Sequence, residues 1–251
     1  MQETLEGIVL RQYKTGEDRV LHILTARHGV LTAFAGGAGK PRSPLAASTE
    51  LLCYCCFVLF HNRDRCIVDK ADTLRIFFGV RQDMEKLALA SYMAQLADEL
   101  CPHGVEAAEH LRLLLNTLHY IEKEKRPRPH LKALFELRLL TLSGFMPNLV
   151  GCRVCGCYEA PVMRFLPQSG ELLCAGCPDA AGEQGMPAGP GVLAAMRHII
   201  YAPLDKLFAF RLSDEGLGAL QYIAETYLKC QVERTFSALE FYTSLQGPGA
   251  L

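Results

Sequence analysis

The chain has 251 residues, 26 basic and 27 acidic, for a formal charge of −1. That balance excludes a wholesale polybasic nucleic-acid binder, so any anionic partner must be held by a local patch. Half the residues are hydrophobic, which excludes disorder and suffices for two to three small domains. The opening Met1-Gln2-Glu3-Thr4-Leu5-Glu6 has neither the basic nor the apolar region of a signal peptide. The longest apolar run, residues 51–60, is about half the length of a membrane-crossing helix. Eleven cysteines without a secretory framework point to reduced thiols in a cytosolic protein, with no membrane association.

Residues 1–79 read as strands. Residues 5–10 come first, and Thr15-Gly16-Glu17-Asp18 makes a turn. Residues 19–25 place Val20, His22 and Leu24 on one face and Leu21 and Ile23 on the other. Further strands are expected over 30–35, 51–60 and 66–74, with a turn at 61–65. Five short strands with tight turns suit a small closed barrel, and the OB-fold is the five-stranded one. The loop Gly36-Gly37-Ala38-Gly39-Lys40-Pro41-Arg42 is not a P-loop, because Phe34 stands where the first glycine is needed and Pro41 follows the lysine. Lys40 and Arg42 suit either a phosphate-backbone contact or a solvated surface loop.

From Asp83 the apolar period becomes helical. Met84, Leu87, Ala88, Ser91, Tyr92, Gln95 and Leu96 form one stripe, which Pro102 ends. Residues 104–124 carry a second stripe from Val105 to Ile121. A third helix after Pro127 packs Leu131, Leu134, Phe135, Leu139 and Leu142, with Gly144 as its C-cap. Helical apolar spacing is the ordinary mark of bundle packing, so these stripes are core. Lys123, Lys125, Arg126, Arg128, Lys132 and Arg138 concentrate positive charge. They read as a solvated helix end or as a docking site for an acidic peptide.

The most specific chemistry is Cys152-Arg153-Val154-Cys155 answered by Cys174-Ala175-Gly176-Cys177. Two residues between paired cysteines let both sulfurs of a tight turn face one ion, and two such turns complete a tetrahedral structural zinc site. Between the pairs, residues 162–166 and 171–173 flank Pro167-Gln168-Ser169-Gly170 and read as a zinc-ribbon hairpin. Cys157 is a spare thiol that stands as an alternative to Cys155. Four protein ligands leave no open position for water, so the expected Zn2+ holds structure and does not catalyse. A linker over 179–190, helices over 191–201 and from Ser213, and a last amphipathic piece over 234–245 follow, before a frayed Gly247-Pro248-Gly249.

An enzyme is not expected. Deaminases use H-x-E with P-C-x-x-C. Here His103-Gly104-Val105-Glu106 is H-x-x-E, and Gly151 precedes Cys152. H-E-x-x-H and G-x-S-x-G are absent from the sequence. The rivals are a thiol redox switch at Cys152, Cys155 and Cys157 and a zinc-ribbon interaction scaffold without DNA affinity.

An ordered set of segments carries a family resemblance. It comprises Gly7-Ile8-Val9-Leu10, Gly16-Glu17-Asp18-Arg19, Leu24-Thr25 with Gly29, and Val80-Arg81-Gln82-Asp83. Phe135-Glu136-Leu137-Arg138-Leu139-Leu140, Gly144-Phe145-Met146-Pro147 and the cysteine pairs with Gly170-Glu171-Leu172-Leu173 complete it. Across residues 3–245 the chain resembles RecO, the bacterial recombination-mediator family. The resemblance implies an α+β, multi-domain protein: an OB-fold over 1–79, helical parts over 80–148 and 181–251, and the four-cysteine zinc insertion over 149–180. It also implies a non-enzymatic, cytoplasmic and nucleoid-associated DNA-repair role without a small-molecule substrate. The role is to bind single- and double-stranded DNA, anneal strands, and help load RecA onto DNA coated by single-stranded-DNA-binding protein. The implied partners are RecR and the acidic C-terminal tail of the coating protein. The loop at 36–42 is less basic than the family's Lys-Gly-Ala-Arg-Arg type. Candidate DNA contacts are Lys14, Arg19, Arg27, Lys40, Arg42, Arg63 and Arg65; those for the acidic tail are Arg126, Arg128, Lys132 and Arg138.

Overall fold

The computed structural model describes residues 2–62, 65–178 and 182–246. Arg63, the start of the linker at 179–181 and Gly247-Pro248-Gly249 lie outside the described residues. Five strands come first: β1 Gln2–Thr15, β2 Asp18–Thr25, β3 Gly29–Ala35, β4 Tyr54–Asn62 and β5 Arg65–Arg75. They close in the order β1-β2-β3-β5-β4, and β4 pairs back onto β1. β1 serves both neighbours, residues 2–8 pairing with β4 and 7–15 with β2, with a register shift between Val9 and Arg11. Such a bulge bends a strand and raises its twist, which closure of a small barrel requires. β3 and β5 run parallel with Phe34 opposite Ile67.

Leu21 and Ile23 point inward with Val9, Ala33, Cys55, Phe57 and Leu59, all fully buried. The 36–53 connection supplies Ala38, Leu45 and Cys53 to the same core. Arg19 holds that connection, its Nη1 donating to Ala46 O at 2.9 Å and Thr49 Oγ1 at 2.8 Å while its Nη2 meets Glu50 at 2.8 Å. The fourth strand, expected from 51, begins at Tyr54. Leu52, at φ 63°, turns the backbone so that its N–H and the Cys53 carbonyl bond Val9.

Helices α1 Phe78–Arg81, α2 Met84–Leu100 and α3 Ala108–Glu122 follow. Asp83 caps α2 by accepting from Lys86 N at 2.9 Å. α3 starts at Ala108, later than the expected 104, because residues 102–107 are spent on the barrel. Val30 N donates to Pro102 O, Gly104 N to His28 O and Ala107 N to Ala26 O, each at 2.8 Å. Val105 is consequently exposed. Gly29 makes the approach possible: it sits at φ 60°, and a Cβ there would lie 1.9 Å from Pro102 O.

The chain continues with α4 Arg128–Leu142, β6 Met163–Leu166, β7 Glu171–Cys174, β8 Met186–Ala188, α5 Pro190–Tyr201, α6 Asp214–Gln231 and α7 Ser237–Leu245. Residues 1–125 with 236–251 form one compact unit and 126–235 another. Within the first, Phe236 meets Tyr92 edge-on at 6.0 Å and Ala238 N donates to Gln95 at 3.1 Å, which seats α7 on α2. None of the described helices is long and apolar enough to cross a membrane.

In the second unit α4 is buried along most of its length, charges included. Lys132 bridges Glu136 at 2.8 Å and Glu225 of α6 at 2.7 Å. Burial pushes the Glu225 carboxyl up, but Lys132 and Lys229 outweigh it and hold it below the usual range. Arg138 donates to the carbonyls of Ile199 and Ile200 at 3.2 and 2.6 Å, satisfying the last turn of α5. His130 stacks on Phe210 with ring centroids 4.2 Å apart. Burial, aided by Arg126 and His198, holds its imidazole down at about 4.

Removing one partner of a buried ion pair leaves the other charge uncompensated. Lys132→Ala should therefore cost about 3–5 kcal/mol in urea unfolding, and Lys132→Met with Glu136→Leu should recover most of it. His130 is neutral when folded but protonates near 6.5 when unfolded, so its contribution is complete above pH 6.5 and is lost as pH falls towards 4. The urea midpoint of His130→Phe should fall less steeply across that window than the parent's, and identical slopes would contradict this.

Candidate metal centre and nucleic-acid surface

The sulfurs of Cys152, Cys155, Cys174 and Cys177 lie within 4.8 Å of one another. Two local structures bring them together. The turn after Cys152 closes on itself, with Gly156 N donating to Cys152 O at 2.8 Å and Cys152 N to Cys157 O at 2.9 Å. Gly151 is required there, because a Cβ would lie 2.7 Å from the Gly156 carbonyl. Cys174 ends β7 opposite Met163, so the β6–β7 hairpin delivers the second pair. Arg153 N joins the two halves by donating to Leu172 O at 2.8 Å.

The donor set fits a tetrahedral metal. A zinc–sulfur bond of ~2.3 Å implies sulfurs about 3.8 Å apart, and Cys155 and Cys174 are separated by 3.7 Å. Burial pushes the Cys152 thiol up, but the backbone N–H groups of Cys155, Cys174 and Val154 outweigh it and bring it down to about 6. Cys177 is pushed up to about 12, chiefly by its hydrogen bond with Cys174. The backbone N–H of Cys157 also holds the Cys155 thiol down, and bringing all four thiolates together calls for a cation among the sulfurs. The thiol of Cys157 is outside the four-sulfur set.

The hairpin is bound to its own unit. Phe165 packs edge-on against Tyr227 of α6 at 5.3 Å, and the Tyr227 hydroxyl donates to Phe145 O at 3.0 Å. Gln231 donates to Pro167 O and Gln168 O at 3.1 and 3.2 Å. β8 adds a third strand beside β6, inside the stretch expected to be a linker. Its single buried-exposed-buried triplet, Met186-Pro187-Ala188, is too short for alternation to reveal.

The basic candidates have different fates. Arg19 is 5% exposed and is spent on the 36–53 connection. Arg27 pairs with Glu3 at 3.5 Å and Lys40 with Glu17 at 2.9 Å, both on the surface. Lys14, Arg42 and Arg65 are exposed. Lys132 and Arg138, 1% and 7% exposed, are interior, Arg126 donates to Phe208 O at 3.0 Å, and Arg128 is half-buried. Of the aromatics that suit stacking, Phe57 is core, Phe34 and Tyr54 are half-buried, and Tyr54 bonds Glu6. Tyr13 is exposed, with the Arg11 guanidinium 4.7 Å above its ring.

A groove of about 480 Å³ lies between the glycine loop and strands β4 and β5, lined by Gly36, Ser43, Pro44, Leu45, Phe60, Ile67, Val68 and the acidic Asp69. Phe60, 48% exposed, presents its ring there. Arg42 precedes one wall in the chain and Arg65 the other. Phe60 ends the apolar run 51–60, so hydropathy along the chain does not mark it as exposed.

A closed OB-like barrel followed by helices, with a four-cysteine cluster able to hold a metal ion, defines a mixed α+β protein. Residues 1–77 match the family model for the recombination protein O N terminal and residues 81–240 that for the recombination protein O C terminal. The chain is similar to the DNA repair protein RecO of Acetivibrio thermocellus, 32% identical over 241 residues and 95% of each chain. It is also similar to that of Symbiobacterium thermophilum, 31% identical over 247 residues, 96% of this chain and 97% of the relative. The chain belongs to the RecO family of DNA repair proteins.

Cys174→Ser should lose bound metal and lower the melting temperature, since ligation is coupled to folding. Metal analysis beside calorimetry checks this; retained metal with an unchanged transition would contradict it.

Proposed function

We propose that this protein is a non-enzymatic DNA-repair and recombination mediator. It binds single- and double-stranded DNA, anneals complementary strands and, with RecR, helps load RecA onto DNA coated by single-stranded-DNA-binding protein. The observation that carries the proposal is the barrel groove, in which exposed Phe60 faces the glycine loop between chain segments bearing Arg42 and Arg65. OB-folds take single strands through such pairings of stacking ring and cation. Neutralising phosphates on two strands lowers their repulsion, which is the physical basis of annealing, and makes binding salt-sensitive.

On this reading residues 1–79 contact DNA through Lys14, Lys40, Arg42, Arg63 and Arg65 ahead of Arg19 and Arg27. The metal at the cysteine cluster is Zn2+. With four protein ligands it offers no position for water, so it holds the hairpin and takes no part in chemistry. The acidic tail of the coating protein is received near Arg128, since Lys132 and Arg138 are committed to the interior. A second reading, a zinc-ribbon interaction scaffold without DNA affinity, is favoured by exposed Val150, Val154, Tyr158 and Val162 around the cluster.

Fluorescence anisotropy of a labelled single-stranded oligonucleotide across a salt series separates the two. Mediation predicts affinity falling linearly with log salt, and Arg42→Ala with Arg65→Ala reducing the slope by about 1.4, at ~0.7 per phosphate. Absence of binding at low salt would favour the scaffold.

A further inference from the structure

Of the residues that line the barrel groove, only Asp69 is charged, and its charge is negative. A carboxylate repels phosphates, so it does not serve the backbone of a bound strand. Its neighbour Lys70, which could neutralise it, is bound to Asp72 at 2.7 Å instead. Asp69 itself has no hydrogen bond or ion pair among the described residues. It is an exposed, uncommitted acceptor beside a stacking ring.

The backbone sets that carboxylate apart. Val58 pairs with Lys70 and Leu59 with Val68, so Asp69 is the extra residue of a bulge in β5. A bulge re-aims a side chain, and bulges are frequent beside functional sites. Val68, just before it, joins the barrel core. Phe60 lies opposite Ile67 across the same pair of strands and supplies the exposed ring. From the other wall, Ser43 Oγ accepts from Leu45 N at 3.3 Å, which leaves the hydroxyl proton to donate.

The groove therefore combines a stacking face, a two-oxygen acceptor and one donor. The bases do not fit that set equally. Thymine has one N–H between two carbonyls, and cytosine and adenine each set an amino group beside a bare ring nitrogen. Guanine alone offers two parallel donors, N1–H and N2–H, which is the fork that a guanidinium presents to a carboxylate. Its O6, adjacent to N1, suits a hydroxyl donor. These groups form the Watson–Crick edge, so the contact is open only to an unpaired base. Phosphates are left to cations outside the groove, such as exposed Arg42 and Arg65.

We propose that Asp69 makes the barrel groove selective for an unpaired guanine, which stacks on Phe60 and gives N1–H and N2–H to the carboxylate while Ser43 donates to O6. This rests on the reading of the groove as a single-strand site. The test is anisotropy of the whole chain with three labelled single strands: alternating guanine–thymine, the same strand with hypoxanthine for guanine, and all thymine. Lithium salts keep guanine from forming quadruplexes. Hypoxanthine lacks only the N2 amino group, so the guanine strand should bind about fivefold or more tighter than the other two. Asp69→Asn keeps the side chain's shape but puts an amide nitrogen where one acceptor was, so the guanine-to-hypoxanthine ratio should fall towards one. Salt-dependent binding of all three strands with equal affinity would overturn the proposal and leave the groove reading standing. A guanine preference unchanged in Asp69→Asn would also overturn it, by making Asp69 a mere repulsive charge. Absence of binding to every strand at low salt would end both readings.

Discussion

Arg19 is the interaction on which the barrel surface depends. Its guanidinium sits inside the sheet and reaches Ala46, Thr49 and Glu50, so the long 36–53 connection is bound to β2. Gly39 N and Gly37 N tie the glycine loop to Glu17 O and Asp18 at 2.8 and 2.6 Å. One face of the groove thereby becomes a fixed wall, with Leu45 and Ala38 completing the core beneath it. A flexible loop would lose conformational freedom on meeting a strand of DNA; a wall already bonded to β2 loses less.

Buried charge plays a similar part in the second unit. Lys132 between Glu136 and Glu225 orients α4 on α6, and Arg138 ends α5 by satisfying its last carbonyls. The hairpin that presents Cys174 is bound to that same α6 through Tyr227 and Gln231. The cysteine cluster and the helices thus share one scaffold, so a metal held by the four sulfurs would couple ligation to the folding of this unit.

Much of this was legible in the chain. The two C-x2-C pairs named the four sulfurs that converge, and strand alternation set Leu21 and Ile23 on one face, which the structure places in the barrel core. Helix starts were read at Asp83 and Ser213, and both side chains cap the helices that follow. The misjudgements share a cause: charge and hydropathy along a sequence do not reveal where a side chain ends. Arg19 and Lys132 carry the composition of a surface and lie inside, because their partners Thr49 and Glu225 are 30 and 93 residues away. Phe60 carries the composition of a core and lies at the surface. Residues 104–107 read as helix, but the backbone N–H groups of Gly104 and Ala107 bond the barrel.

DNA contact belongs, on this account, to the barrel unit, while the cysteine-bearing unit supplies structure and partner surface. Amide hydrogen exchange of the whole chain, with and without a saturating single-stranded oligonucleotide, addresses that division directly. Protection concentrated in residues 36–44, 60–62 and 65–67 is predicted. Protection confined to residues 126–235 would contradict it.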